Sequence, residues 1–190
     1  MKLIAIAAAS IMLMAGAAQA QVMAPRPTMA GTTYGEVGYT SLKISESGVD
    51  VKPGVLRGII GFNFSNYVAF EGMAGFGVAK DSTDINVLGN RVTLEGDVQH
   101  MFGVYVKPRV NIDGFELFGR LGYADTRLKA TARVGAVSVT DTTSGSDWSY
   151  GLGANFNFSP RAYVGIDYMQ YYNKDDTKIE GVTLGLGYRF

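Results

Sequence analysis

The last ten residues of the chain alternate between apolar side chains and small or polar ones. The apolar set is Val182, Leu184, Leu186, Tyr188 and Phe190, and the other set is Gly181, Thr183, Gly185, Gly187 and Arg189. A repeat of two residues with one apolar face is typical of a β-strand between an apolar and a polar environment. The polar set contains glycine rather than the lysine and glutamate of a water-facing sheet. We therefore expect lipid outside this strand and a crowded interior behind it.

The first twenty residues have the pattern of a secretory signal peptide. Lys2 supplies a positive charge, residues 3–17 are almost wholly apolar, and Ala18 and Ala20 are the small residues of a signal-peptidase site. The apolar run is shorter than the roughly 20 residues of a transmembrane helix. We therefore predict that residues 1–20 are removed on export.

The composition limits the remaining classes of protein. The chain contains no cysteine, so disulfide bonds cannot stabilise an exported fold. It has 17 basic and 17 acidic residues, a balance that does not indicate a nucleic-acid partner. Glycine accounts for 25 of the 190 residues, nearly twice the average frequency of about 7%. This excess argues against a helical bundle.

The alternation recurs in eight segments. The predicted strands are residues 33–45, 52–64, 67–80, 91–107, 115–131, 146–158, 162–173 and 178–190. Each segment reaches the roughly 9–11 residues that a tilted strand needs to cross a bilayer. We therefore predict an all-β fold, an eight-stranded antiparallel up-and-down transmembrane β-barrel. The predicted domains are the signal peptide, a periplasmic lead over residues 21–32 and the barrel over residues 33–190.

Short and long connections alternate between these strands. The short turns are residues 65–66, 108–114 and 159–161, and the longer polar loops are residues 46–51, 81–90, 132–145 and 174–177. This asymmetry is typical of outer-membrane barrels. Pro53, Pro108 and Pro160 fall in turns or at strand starts, so no proline is predicted to interrupt a strand.

The apolar face of each predicted strand is expected to contact lipid. In the fifth strand, Leu117 and Leu121 lie on that face, whereas Glu116 and Arg120 lie on the other. Aromatic residues at the strand ends predict two interfacial girdles: Phe62, Phe64, Phe115, Phe156, Phe158, Tyr188 and Phe190 near the short turns, and Trp148, Tyr150, Tyr168 and Tyr172 toward the long loops. A soluble lipocalin-like or avidin-like barrel is the alternative, but it would carry its apolar face inside.

Two stretches resemble a known family. The segment YGLGANFNFSPRAYVGIDYMQYY at residues 150–172 and the terminal GLGYRF at residues 185–190 are similar to the opacity-type and OmpA-like small outer-membrane barrels. The resemblance implies integral location in the cell outer membrane. It also implies that Phe190, with Tyr188, is the signal by which the outer-membrane assembly machinery recognises the chain.

Four charged residues are predicted to point into the lumen, at similar depths, as a lumen charge network. They are Arg57, Glu71, Arg120 and Asp167. An eight-stranded barrel has room inside for side chains and little else, so we expect a salt-bridged plug. A gated narrow pore through the same charges is the alternative.

No catalytic site, cofactor or metal is predicted. The single histidine, His100, is expected on the lipid face with Val98 and Phe102, without a serine or carboxylate beside it.

The predicted function is therefore that of a non-enzymatic outer-membrane protein, whose loops 81–90 and 132–145 serve adhesion, surface antigenicity or envelope integrity. The alternatives are a small-solute channel and a lipid A-modifying enzyme. The expected partners are outer-membrane lipids including lipopolysaccharide, the assembly machinery, and a host or envelope surface ligand.

Overall fold

The computed structural model describes residues 29–46, 49–87, 90–134, 137–174 and 177–190. Its strands are β1 (Thr33–Glu46), β2 (Val49–Val51), β3 (Gly54–Asn63), β4 (Val68–Ala79), β5 (Asp81–Val87), β6 (Asn90–Ile112), β7 (Phe115–Val134), β8 (Val137–Asn157), β9 (Ala162–Lys174) and β10 (Thr177–Arg189). The described residues include no helix long and apolar enough to cross a membrane. The predicted signal peptide, with Ala18 and Ala20, lies outside the described residues.

Eight of the strands close into an antiparallel barrel. The order around the wall is β1, β3, β4, β6, β7, β8, β9 and β10, and β10 pairs again with β1. The closing pair runs from Tyr34↔Arg189 to Glu46↔Thr177, and the Phe190 amide donates to the Thr33 carbonyl at 2.9 Å. Closure leaves no edge of unpaired backbone groups in the wall, as a bilayer requires. The predicted eight-stranded barrel is confirmed.

The lead is in contact with one short turn of the barrel. The Gly31 amide donates to the Asn63 carbonyl, and Asn63 Nδ2 donates to Thr32 Oγ1, each at 2.8 Å. Residues 29–32 therefore lie against the end of β3. The boundaries of the predicted domains remain a prediction.

The turn between β6 and β7 is tighter than predicted. Only Asp113 and Gly114 connect the two strands, with φ of 41° and 88°. Positive φ at both central positions is the requirement of a type I′ hairpin, which the Asp-Gly pair favours. The predicted turn over residues 108–114 is too long, because Pro108 does not end the strand.

Pro108 instead lies inside β6, opposite Val68 of β4. On the other side, the ladder with β7 pairs Val106↔Leu121 and Arg109↔Phe118 but is interrupted between them. A proline has no amide hydrogen, so it is tolerated where the ladder is already interrupted. The expectation that no proline lies within a strand was therefore wrong.

The connections at the opposite end are strands where loops were predicted. Predicted loop 81–90 contains β5, which pairs with the start of β6 from Asp81↔Gly96 to Val87↔Asn90. Predicted loop 132–145 belongs to a hairpin in which β7 and β8 stay paired up to Val134↔Val137. Polarity alone does not exclude a strand, and the threonines and valines of these segments favour extended backbone.

The predicted faces are confirmed along the wall. Leu117 and Leu121 are 43% and 55% exposed, whereas Glu116 and Arg120 are 1% and 2% exposed. All seven predicted girdle residues near the short turns are exposed, as are Trp148, Tyr150 and Tyr168 at the loop end. Tyr172 is the exception, since it is half-buried and packs inward beyond a β-bulge in the β9–β10 pair.

Glycines on the inner face leave room for tyrosine rings. A Cβ at Gly61 would lie 2.2 Å from the ring of Tyr34, its partner across β1 and β3. A Cβ at Gly187 would lie 1.9 Å from the ring of Tyr163, its partner across β9 and β10. Each buried tyrosine therefore covers the glycine of the neighbouring strand, which accounts for two of the glycines on the polar face.

The lumen has two layers. Toward the loop end, an apolar layer consists of Leu42, Ile44, Val55, Ile59, Met73, Val98, Met101, Tyr105, Met169, Tyr171 and Ile179. Toward the short turns, the buried side chains are mostly charged. The alternation of faces predicts a polar interior, so the apolar layer is a feature that only the structure shows.

Candidate functional site

Arg120 lies at the centre of the charged layer. Its Nε is 2.6 Å from Glu71 Oε2, its Nη1 is 2.8 Å from Asp167 Oδ2, and its Nη2 is 3.3 Å from Glu36 Oε2. Three carboxylates on three different strands thus surround one guanidinium. The planar fork of an arginine suits such multiple charge-assisted hydrogen bonds.

Arg57 binds two of the same carboxylates. Its Nη1 donates to Asp167 Oδ1 at 2.9 Å, and its Nη2 lies 2.5 Å from Asp167 Oδ2 and 2.9 Å from Glu36 Oε1. The structure therefore connects all four residues of the predicted network through Arg120 and Asp167, and it adds Glu36. The alternation of faces in β1 could have identified Glu36, because Glu36 lies on the same face of this strand as Tyr34 and Thr40.

A second tier lies nearer the short turns. Lys107 Nζ is 2.9 Å from Glu116 Oε1 and 3.6 Å from Glu71 Oε1, so it links the two tiers. Arg109 Nη1 is 3.5 Å from Glu116 Oε2. We use the name lumen charge network for the complete buried set, which is Glu36, Arg57, Glu71, Lys107, Arg109, Glu116, Arg120 and Asp167.

Aromatic side chains enclose this network. The Tyr34 hydroxyl donates to Glu71 Oε1 at 2.5 Å, and the Tyr163 hydroxyl donates to Glu36 Oε2 at 3.3 Å. Lys107 Nζ lies 4.2 Å from the centroid of the Phe118 ring, within cation–π range. These contacts give the buried charges further partners beyond the ion pairs.

The lumen charge network is electrically balanced. It contains four cations and four carboxylates, and each member lies within 4 Å of an opposite charge. An ion crossing the lumen would have to displace formed pairs, and breaking a buried pair costs about 3–5 kcal/mol. The arrangement suits a structural seal.

The apolar layer covers the network from the loop end. Arg57 Nη1 donates to the Tyr171 hydroxyl at 3.2 Å, which joins the two layers. Tyr105 donates to Ser149 Oγ at 3.1 Å, and Ser149 donates to the Gln170 carbonyl at 2.8 Å. These polar groups are therefore hydrogen-bonded to one another, whereas the buried Thr126 hydroxyl, beside Met101, has no hydrogen-bond partner among the described residues.

His100 lies on the outer face with Phe102, as predicted, but Val98 does not. A β-bulge lies between Val98 and His100 in the β6–β7 pair, and Val98 points inward with only 1% exposure. A bulge adds one residue to a strand and so shifts the alternation of faces. His100 is half-buried, its ring is 5.3 Å from the Phe102 ring, and its partner on β7 is Arg127.

One ion pair marks the loop-end rim. Lys174 Nζ is 3.0 Å from Asp147 Oδ1, and this hydrogen-bonded carboxylate raises the pKa of Lys174. The pair joins the end of β9 to β8 next to Trp148. It lies where the wall leaves the membrane, as the exposed Trp148 ring indicates.

The fold and the outer-membrane assignment agree with comparisons to known proteins. Residues 5–190 match the family model described as the outer membrane protein β-barrel domain. The chain belongs to this family. This outer-membrane barrel is an integral protein of the outer membrane, of the OmpA-like kind that the resemblance implied.

Several relatives are similar to this outer-membrane barrel. The attachment invasion locus protein of Yersinia pseudotuberculosis is 27% identical over 161 residues, which cover 81% of this chain and 82% of the relative. The crystal structure of Ail, the attachment invasion locus protein of Yersinia pestis, in complex with the heparin analogue sucrose octasulfate has a TM-score of 0.59 at 22% identity. That match covers 85% of this chain and 99% of the other.

A third similar structure is the N-terminal β-barrel domain of OprF from Pseudomonas aeruginosa. It has a TM-score of 0.55 at 12% identity, covering 85% of this chain and 98% of that chain. At these identities, the structural matches establish the fold of the outer-membrane barrel.

Proposed function

We propose that this outer-membrane barrel is a non-enzymatic surface adhesin. In this proposal the sealed barrel is a rigid membrane anchor, and the hairpins at its loop end contact a host-surface ligand. The observation that carries the proposal is the length of the β7–β8 hairpin, which stays paired from the girdle residue Trp148 to Val137. That arm extends about 35 Å along the strand, at about 3.4 Å per residue.

The charge distribution favours the β7–β8 hairpin as the contact surface. Its β7 arm contains Arg127, Lys129 and Arg133 within seven residues, whereas the segment from Asp81 to Asp97 contains four acidic residues and one arginine. A sulfated polysaccharide would be attracted to the basic arm and repelled by the acidic segment. The heparin analogue bound by the Yersinia pestis protein supports this class of ligand.

A channel and an enzyme receive less support. The paired charges and the apolar layer argue against a water-filled path through the lumen. Asp125 and Ser146 lie in the row next to His100, but Ser146 Oγ donates to the Asp125 carboxylate at 2.7 Å and the ring of His100 lies against Phe102, so the described residues do not form the Ser–His hydrogen bond that hydrolytic chemistry requires. Both alternatives therefore remain secondary to adhesion.

Two membrane partners complete the proposal. Tyr188 and Phe190 are exposed at the short-turn end, with their rings 5.4 Å apart, so both are available to the assembly machinery. The exposed apolar wall contacts the lipids of the outer membrane, including lipopolysaccharide in the outer leaflet.

The test shortens one hairpin without changing its register. Since Ala130 pairs with Asp141, residues 131–140 can be replaced by Asn-Gly, which forms a tight turn. The matched control replaces residues 84–93 by Asn-Gly between the paired residues Thr83 and Leu94. Heat-modifiable electrophoretic mobility reports folding of both variants.

Binding to immobilised heparin and to host cells is then measured in bilayer nanodiscs. We expect wild-type protein and the β5–β6 control to bind, and the shortened β7–β8 variant, which lacks Arg133 and the outer part of the arm, to bind more weakly. Equal binding by the shortened β7–β8 variant, or no binding by the wild type to either surface, would refute the adhesin proposal.

A further inference from the structure

Three rows of outward-facing residues cross β6, β7 and β8 near the loop end. From the membrane outward they are Val104, Tyr123 and Trp148, then Phe102, Asp125 and Ser146, then His100, Arg127 and Ser144. Successive rows are two residues apart, or about 7 Å along the strand. The surface thus changes from apolar and aromatic to basic over about 14 Å, which places the top row at the level of lipid headgroups.

The top row presents two basic side chains. His100 and Arg127 are direct cross-strand partners, so their Cβ atoms lie about 5 Å apart. The imidazole rests against the Phe102 ring at 5.3 Å, and the Arg127 side chain is exposed. Two adjacent cationic or hydrogen-bond-donating groups can therefore meet a single small anion.

The nearest acidic side chains are engaged elsewhere. The Asp125 carboxylate accepts a hydrogen bond from Ser146 Oγ at 2.7 Å, and Asp97 pairs with Lys80 at 3.3 Å. Among the described residues, no carboxylate forms an ion pair with Arg127. An exposed arginine at headgroup level, with no ion-pair partner in the described part of the chain, has the chemistry to bind a phosphate group.

An open groove lies directly below this row on the lipid-facing surface. It has a volume of about 1110 Å³, with Phe102, Tyr123 and Asp125 at its upper end and Gly58 and Gly72 in its floor. A Cβ at Gly72 would meet nothing within 4 Å, and one at Gly58 would meet only a carbonyl oxygen at 4.0 Å. The packing of the barrel therefore does not require glycine at these positions, but a larger side chain would fill the groove.

We propose that His100 and Arg127 bind the phosphate of a phosphorylated glycolipid in the outer leaflet, while an acyl chain of the same lipid lies in the groove. Charge complementarity selects the headgroup, and the apolar floor selects the chain. The inference rests on the proposed lipid partner of the barrel and not on its role in adhesion. It assigns that partner to one site on the wall, where the groove extends from β10 across β1, β3, β4 and β6 to β7.

The test measures retention of bis-phosphorylated lipid A. Folded protein is reconstituted in phosphatidylcholine nanodiscs containing lipid A, released in mild detergent, and analysed by native mass spectrometry. Fluorescence of Trp148, the single tryptophan, reports binding at the neighbouring row. We expect Arg127→Gln and His100→Leu to weaken lipid A binding, Arg127→Gln by about tenfold, because the first removes a positive charge and the second removes a hydrogen-bond donor.

Controls separate the headgroup from the chain. Arg161→Gln removes an exposed arginine at the short-turn end and should leave retention unchanged. Gly72→Leu fills the groove and should weaken binding of lipid A but not of its deacylated, phosphorylated headgroup. Lipid A without phosphates should be retained no better by wild type than by Arg127→Gln.

Three results would overturn the site. They are equal retention by wild type and Arg127→Gln, equal retention of phosphorylated and dephosphorylated lipid A by the wild type, and a lipid-independent dimer that covers the groove. The shortened β7–β8 variant keeps His100 and Arg127 and should retain lipid A even when its binding to heparin is weaker. Failure of the adhesin proposal is therefore distinguishable from failure of the lipid site.

Discussion

Replacing Arg120 by alanine tests whether the lumen charge network stabilises the barrel. The variant leaves three cations for four carboxylates. Asp167 and Glu36 would still form ion pairs with Arg57, at N–O distances of 2.5 and 2.9 Å. The remaining cation near Glu71 would be Lys107, whose Nζ lies 3.6 Å from Glu71 Oε1. Because removal of one partner leaves a buried charge uncompensated, we expect the free energy of unfolding to fall by about 3–5 kcal/mol.

The structure also predicts where this loss arises. Glu71 is the carboxylate most deprived of positive charge, so adding Glu71→Gln to Arg120→Ala should recover about 1 kcal/mol or more. Coupling energies of about 0.5–3 kcal/mol are usual for residues in one network. Removing both members of the pair should therefore be less harmful than the sum of the two single substitutions.

The assay is urea unfolding in phosphatidylcholine vesicles, followed by the fluorescence of Trp148. This residue is the single tryptophan and is 65% exposed on the outer wall, so its environment changes when the barrel leaves the bilayer. Arg161→Ala, at an exposed position in a short turn, is the control and should change stability by no more than about 0.5 kcal/mol. A loss below about 1 kcal/mol for Arg120→Ala, or a double variant less stable than the sum of the singles, would refute this account.

Three further predictions concern conductance, the lipid face and assembly. Wild-type protein in planar bilayers should show no sustained conductance, because the apolar layer covers the charges, and a stable ion-selective current would restore the channel alternative. Leu121→Arg, on the lipid face, should destabilise the barrel by about 2–4 kcal/mol if it lies near the midplane, and unchanged urea unfolding would mean that this position does not contact lipid. Deletion of Phe190 should lower the amount of heat-modifiable barrel in the outer membrane without blocking export, and normal barrel levels would exclude its role as an assembly signal.

The Leu121 test needs a suitable control. Gly122 faces the lumen, but a Cβ there would lie 1.9 Å from the Val104 carbonyl oxygen, so an arginine at this position would fail for steric reasons. Leu121→Phe keeps the apolar surface and is the better comparison, because it changes shape without adding charge.

The sequence by itself determined the strands and their faces, because the direction of a side chain in a strand depends on a local repeat of two residues. Glu116 and Leu117 point to opposite sides of the wall whatever β7 pairs with. The same local rule placed Arg57, Glu71, Arg120 and Asp167 inside. It also located the turn residues Asp113 and Gly114, although it made that turn too long.

The tertiary structure decided which inward residues meet. Arg57 and Asp167 are 110 positions apart in the chain and come together only because the strand register brings them to one depth. The apolar layer and the lumen charge network differ in their depth along the barrel axis. The alternation of faces shows that Met169 and Asp167 both point inward, but it does not show that they belong to different layers. The bulge before His100 shifts the alternation and turns Val98 inward, and β5 and the β7–β8 hairpin extend past the membrane. Each of these features depends on hydrogen bonds between strands, which the pattern of a single strand does not contain.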